Sequence, residues 1–188
     1  MRDRVRPVAF CALLLLGACK EDQGPPVAAN RKTMADSADQ VLWGQRTLIT
    51  DKGLLRAEIH ADTAYFFDEN TRSDMRVVDG VFFDSQGARE AVLTARTGIY
   101  NQRVNSLEAY GDSARPVIIT AIDGRRLETS FVRYNNGANL VSSESTFTMT
   151  EPGGRVVHGI GFVTDPDLNN VKVLKLISAK AGPVAVPK

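Results

Sequence analysis

The sequence predicts an all-β fold: twisted antiparallel sheets folded over an apolar groove, as a slanted, open β-jelly roll or half-open barrel. Three observations predict it. A pattern of apolar, small, small-or-apolar and aromatic residues occurs four times, the last time imperfectly. Apolar and charged residues alternate with a period of two from Leu54 onward. Clusters of turn-forming residues separate the apolar runs.

The four copies are Ile59/Ala61/Ala64/Phe66, Leu93/Ala95/Gly98/Tyr100, Leu127/Thr129/Val132/Tyr134 and Val157/Gly159/Phe162/Thr164. Their starts lie 34, 34 and 30 residues apart. Such a period marks a supersecondary unit that buries its apolar face only by stacking on its neighbours. Within each copy the steps are two, three and two residues. Side chains alternate faces along a strand, so a step of three flips the parity. A β-bulge or bend does this by inserting an extra residue and sharpens the twist. Small residues flank the step in most copies, where a bend would crowd the backbone. Four equivalent bends would fold the sheet over on itself.

Leu55, Ala57, Ile59 and Ala61 alternate with Arg56, Glu58, His60 and Asp62, the signature of a half-buried strand with its charges outward. Further β-rich runs are Arg76–Phe83, Pro116–Ile122, Ser145–Thr150 and Val171–Ile177. Turn signals are Asp51-Lys52-Gly53, Asp84-Ser85-Gln86-Gly87, Gly111-Asp112, Asp123-Gly124, Asn135-Asn136-Gly137 and Glu151-Pro152-Gly153-Gly154. The only stretch with helical character is Met34 to Trp43, which starts near an Asp/Ser cluster.

The N-terminus reads as a targeting segment. Arg2, Arg4 and Arg6 precede an apolar run from Val8 to Leu16, shorter than the ~20 residues of a membrane span. Leu16-Gly17-Ala18-Cys19 fits a lipoprotein cleavage box, with Cys19 as the lipid-attachment residue. The expected organisation is a lipoprotein signal peptide over 1–18, a tether with a short helical stretch over 19–40, a β domain over 41–178 and a flexible C-terminal tail over 179–188. Removing residues 1–18 leaves 20 basic against 21 acidic residues, so no basic excess points to nucleic acid. Cys19 is then the only thiol, which excludes a disulfide framework, a Cys metal motif and a Cys nucleophile. A hydrophobic fraction of 43% excludes a disordered body.

Chemistry-bearing motifs are sparse. His60 and His158 are the only histidines, and both follow the first position of a copy, so both should face outward. Asp165-Pro166-Asp167 lacks the spacing and closing Glu of an EF-hand loop and reads as a turn. Gly159-Ile160-Gly161 is half a dinucleotide fingerprint and reads as the tightest bend. Arg125-Arg126 beside Asp123 reads as a solvated turn. No catalytic constellation, metal site or cofactor motif stands out, so an enzyme is disfavoured. An envelope enzyme acting on glycans would need two carboxylates facing each other across the groove.

The apolar interior is the remaining candidate site. Burying an acyl chain is worth ~0.8 kcal/mol per methylene, which only a continuous apolar lining can supply. The inward positions are Ile59, Ala61, Phe66, Leu93, Ala95, Tyr100, Leu127, Tyr134, Val157 and Phe162, and the small residues among the copies would leave room for a ligand. The competing expectation is a dry packed core in a structural or scaffold lipoprotein.

Leu48-Ile49-Thr50-Asp51-x-Gly53, the Ala61-x-x-Ala64-x-Phe66 and Leu93-x-Ala95-x-x-Gly98-x-Tyr100 copies, and Gly159-x-Gly161-Phe162 with Asp165 and Leu168 together resemble the LptC family of the OstA-like β-jelly-roll group. The resemblance covers roughly Val41 to Ile177. It implies an open jelly roll that holds the acyl chains of lipopolysaccharide or a related glycolipid. It also implies receipt of the lipid from an inner-membrane ABC transporter (LptB, LptF, LptG) and delivery to a periplasmic LptA-like bridge by edge-strand pairing. ATP hydrolysis would belong to the transporter. LptC commonly carries one N-terminal transmembrane helix, which a lipobox replaces here. The expected location is the periplasm, anchored through Cys19. Lys20 stands at the second mature position instead of the Asp that retains lipoproteins at the inner membrane in enteric bacteria. The family role still favours the inner membrane.

Overall fold

The computed structural model describes residues 33–182. Its described residues form one antiparallel sheet of eleven strands preceded by a single helical turn, α1 (Met34–Ser37). The strands are β1 (Gln40–Asp51), β2 (Leu54–Phe67), β3 (Arg72–Phe83), β4 (Arg89–Asn101), β5 (Ser106–Tyr110), β6 (Val117–Ala121), β7 (Arg126–Thr129), β8 (Phe131–Asn135), β9 (Leu140–Thr150), β10 (Val156–Thr164) and β11 (Lys172–Lys180).

The expected helix over Met34–Trp43 shrinks to α1, closed by the Thr33 backbone N–H donating to Asp36 at 2.7 Å. Strand pairing takes the rest: Asp39 N–H donates to Phe66 O at 2.8 Å, and Gln40 begins β1 opposite Phe66. Only Ile49 is buried in β1, so this edge strand carries no alternation to read. At the other end, Ala179 and Lys180 pair with Val157 and Val156, so the expected tail over 179–188 starts too early. The signal peptide, Cys19 and most of the tether lie outside the described residues, as do 183–188.

The step of three changes parity as expected. In β2, Ala57, Ile59 and Ala61 are buried and then Ala64; across β7 and β8 it is Leu127, Thr129, Val132 and Tyr134. The means differ from copy to copy. In β2 and β4 no residue is inserted: the register is continuous from Ala61↔Val78 to Thr63↔Arg76 and from Val78↔Ala95 to Arg76↔Thr97. The strands kink there, with Val77 at φ 52° on β3 and Gly44 at φ 62° on β1. In the third copy the chain leaves the strand at Ser130, between β7 and β8. Only the fourth copy carries a bulge against β9, between Ile160 and Phe162, with Gly161 at φ 69°.

The kink splits the middle of the sheet. The first half of β4 pairs with β6 and its second half with β5; β9 likewise pairs with β7 and β8. The sheet doubles over these two ribbons. Phe82 of β3 meets Tyr134 of β8 edge-on at 4.9 Å, although β4 and β5 separate their strands in the sheet. Asn136, after β8, donates its side-chain N–H to Thr50 O at 2.9 Å, fastening the turn to the end of β1. Both layers contribute to one core cluster, from Ile49 and Ile59 to Leu127, Tyr134 and Phe162.

All six turn signals lie at the strand connections. The β2–β3 turn shows no Gly or Pro; Asp68, Glu69 and Asn70 all adopt positive φ there.

Candidate functional site

Cross-strand pairing turns the repeat into two rows of side chains. Ile59 pairs with Gly80, Gly80 with Leu93, Leu93 with Ile119, Ile119 with Leu127, Leu127 with Met149 and Met149 with Val157. The row continues to Thr47 on β1 and Ala179 on β11, so it crosses the sheet from edge to edge. The first position of every copy lies on it. The last positions form a second row beyond the kink: Phe66, Ser73, Tyr100, Leu107, Tyr134, Val141 and Thr164. The repeat is therefore a two-strand unit whose motif strands alternate with plain ones. Side chains opposite one another stand about 5 Å apart, so each row is a continuous contact line.

All ten expected interior residues line this face. Ile59, Leu93, Leu127, Tyr134 and Phe162 are at most 1% exposed, and Ala61 and Val157 are buried. Phe66, Ala95 and Tyr100 are half-buried and pack against the same cluster. The expected free room is occupied. A Cβ on Gly80 would stand 3.0 Å from Ile59 Cδ1, and one on Gly98 would stand 3.3 Å from Met75 Cε. The small residues accept large neighbours, so the centre of the face is closed.

The face opens at its β10–β11 end. A cavity of about 430 Å³ is lined by Met149, Val157, Leu168, Val171, Val173 and Leu176, with Arg125 and Arg155 at its margin. That volume is within the usual range of small-molecule sites. Leu168 and Val171 come from the β10–β11 loop and lie outside the ten expected interior residues. The turn Asp165-Pro166-Asp167 points to the loop but not to the inward side chain it carries.

The outer face holds the charges. Glu58 accepts from Arg46 at 2.6 Å and lies 2.7 Å from His60 Nε2; these bonds, Arg46's first, hold its carboxyl down to about 2. His158 is exposed with its Nδ1 2.9 Å from Thr148 Oγ1. Both histidines thus face outward. Arg125 donates to Asp123, and Arg126 to Glu128. No group of His, Cys, Asp and Glu among the described residues could hold a metal ion.

Arg56 departs from the expected outward set. It is the extra residue at a register shift against β1, and its buried Nε finds no partner among the described residues. Glu90 occupies the matching shift between β3 and β4, with Oε1 buried and unpartnered. Burial, then Asp167, Asp84 and Asp165, push the Glu90 carboxyl up, opposed by Arg56. A folded-state acid with a raised pKa loses stability as pH rises from the unfolded value, and the cost is fully present above the folded one. Glu90→Gln should therefore raise the melting temperature at pH 7 and leave it nearly unchanged near pH 4. Thermal melts at the two pH values check this.

Among the described residues no helix is long and apolar enough to cross a membrane. A comparison with curated protein sequences finds no match. Among solved structures, the chain is similar to LptH of Pseudomonas aeruginosa, described as the LptA-homologous periplasmic component of the lipopolysaccharide transport device. The two share 18% identity and a TM-score of 0.45, over 70% of this chain and 89% of that one. The family model for LptC-related lipopolysaccharide-assembly proteins matches residues 8–180. The chain therefore belongs to the LptC family, whose members are transport proteins and not enzymes.

Proposed function

We propose that the protein is a membrane-anchored periplasmic carrier that takes lipopolysaccharide, or a related glycolipid, from an inner-membrane ABC transporter of the LptB/LptF/LptG type. It passes the lipid to a periplasmic LptA-like bridge for outer-membrane assembly. The observation that carries this reading is the row from Thr47 to Ala179, continuous across nine strands and without a polar side chain from Ile59 to Val157. An acyl chain laid along such a face exchanges bilayer for protein contacts at every methylene, each worth ~0.8 kcal/mol against water. Cys19 is the proposed lipid-attachment residue, holding the chain at the inner membrane. The edges β1 and β11, each paired on one side only among the described residues, are the proposed docking strands. Trp43 on β1 and Leu174 on β11 stand 77% and 65% exposed and offer apolar contacts to a pairing strand, with Lys172, Lys175 and Lys180 of β11 beside them.

A second reading, a scaffold lipoprotein with a dry core, is favoured by the closed centre of the face. Ala95→Phe separates the two. Ala95 is half-buried on the interior side beside the kink, opposite Val78 and packed against the core cluster to which Val78 belongs. In a carrier, the added ring should abolish lipopolysaccharide delivery in cells while the purified chain still melts cooperatively. In a scaffold, it should only destabilise by about 1–3 kcal/mol through overpacking, with delivery intact.

A further inference from the structure

We propose that the cavity mouth beside the β10–β11 loop is the port by which an acyl chain enters, and that the Asp165–Asn170 loop is its displaceable stopper. This rests on the lipid-carrier reading and adds where the chain enters and what closes the way. Leu168 is fully buried and belongs to the core cluster, yet a loop carries it and no strand does. It adopts φ 59°, a left-handed conformation that a leucine rarely takes, so the closed state carries backbone strain. The loop's own bonds are internal: Leu168 N–H donates to Asp165 O at 3.1 Å, and the Asp165 carboxylate accepts from the Asn169 and Asn170 N–H groups at 3.0 and 3.1 Å. Besides the burial of Leu168, two residues of the body hold it among the described residues: Thr164 of β10 donates to the Asp165 side chain at 3.3 Å, and Arg125 reaches it across the fold. Arg125, in the β6–β7 turn, donates to the Leu168 carbonyl and to the Asn169 side chain while Asp123 holds its guanidinium.

The loop sits as a partition. Arg125 and Asn169 line both the 430 Å³ cavity on the Val157 side and a second one, of about 310 Å³, on the Glu90 side. Val157 and Met149, the last interior members of the first row before β11, form the wall behind Leu168. Displacing the loop would join the cavities and uncover the row's end. An acyl chain offers more apolar surface than one leucine, so it can take Leu168's place without loss of burial. The strain at Leu168 favours departure, while the Arg125 contacts and the leucine's own burial oppose it until an apolar chain takes the leucine's place.

The test compares Arg125→Gln with Arg126→Gln, a matched charge loss one residue away that leaves the loop untouched. Both are made in the full chain carrying a photo-crosslinker at Leu127. Removing charge-assisted bonds should raise the open fraction by roughly tenfold. Arg125→Gln should then speed entry of the apolar dye N-phenylnaphthylamine, and capture of purified lipopolysaccharide at Leu127, by that factor over Arg126→Gln. Equal rates in the two variants would overturn the proposal. If Arg125→Gln does not fold, hydrogen exchange on the unmutated chain decides. Purified lipopolysaccharide should raise exchange at Leu168–Asn170, and protection or no change there would overturn it. Dye entry faster in Arg125→Gln with no lipopolysaccharide capture in any variant would uphold the stopper while sinking the lipid-carrier reading.

Discussion

Tyr134→Ala is expected to cost about 3–5 kcal/mol of folding free energy. The side chain is fully buried and holds three parts of the fold at once. Its ring meets Phe82 at 4.9 Å and 64°, which joins the two layers. Along the sheet it stands between Leu107 and Val141 in the second row. Its hydroxyl bonds Asn139 Oδ1 at 3.0 Å and lies 3.3 Å from Asn136 Oδ1, and Asn136 in turn reaches Thr50 O. Burial raises the phenol's pKa, so it stays a neutral donor across the ordinary pH range. Truncation leaves a ring-sized cavity and orphans the asparagines together. Tyr134→Phe keeps the packing and should cost only about 1 kcal/mol. Denaturant unfolding of both variants separates the two contributions. A loss below about 1 kcal/mol for Tyr134→Ala would mean that the layers do not meet at this ring.

The second large effect is at Gly159, where alanine should cost about 1–3 kcal/mol through overpacking. A Cβ there would stand 2.6 Å from Phe147 Cε1 and 2.9 Å from Val173 Cγ1. Phe147 can move aside only by disturbing its edge-on packing against Phe162 at 5.1 Å. Gly161 provides the contrast. Its φ of 69° disfavours any side chain, at roughly 1–2 kcal/mol, and its near neighbours are all atoms of the exposed Leu174 (Cδ1 at 2.7 Å, Cβ at 3.2 Å), not of the aromatic pair. Gly159→Ala should therefore also loosen the aromatic pair, visible as lost near-ultraviolet circular dichroism, whereas Gly161→Ala should leave that signal intact.

The repeat made the β architecture readable because it records contact across strands as well as along them. A period of 34 residues carries the chain from one motif strand to the next past one long strand (β3) or two short ones (β5 and β6), so equal motif positions fall on one row by pairing alone. The parity step likewise revealed the kink. The sequence did not reveal how each strand makes its turn of parity, since Val77 at φ 52° leaves no signature in a β-branched residue. The start of edge strand β1 reads as helix in the sequence because only one residue of the strand is buried, leaving nothing for an alternation to report. The β2–β3 turn went unseen because Asp68, Glu69 and Asn70 reach positive φ without a glycine among them. The interior residues were legible from alternation, but their tight packing was not. Whether Gly80 marks a void or a socket for Ile59 depends on the facing strand, which a one-dimensional pattern does not rank. Leu168 was hidden for a related reason: loop residues follow no period.

The central claim is that the inner face of the sheet carries glycolipid. The most direct measurement places a photo-crosslinker at Tyr100 and at Leu127, one on each row, and in separate chains at Glu58 and His60 on the outer face. Crosslinking in intact cells, followed by detection of lipopolysaccharide on the captured chain, reads the result. Capture at Tyr100 and Leu127 and none at Glu58 or His60 is the predicted outcome. Equal capture on the two faces, or none on the inner one, would contradict it.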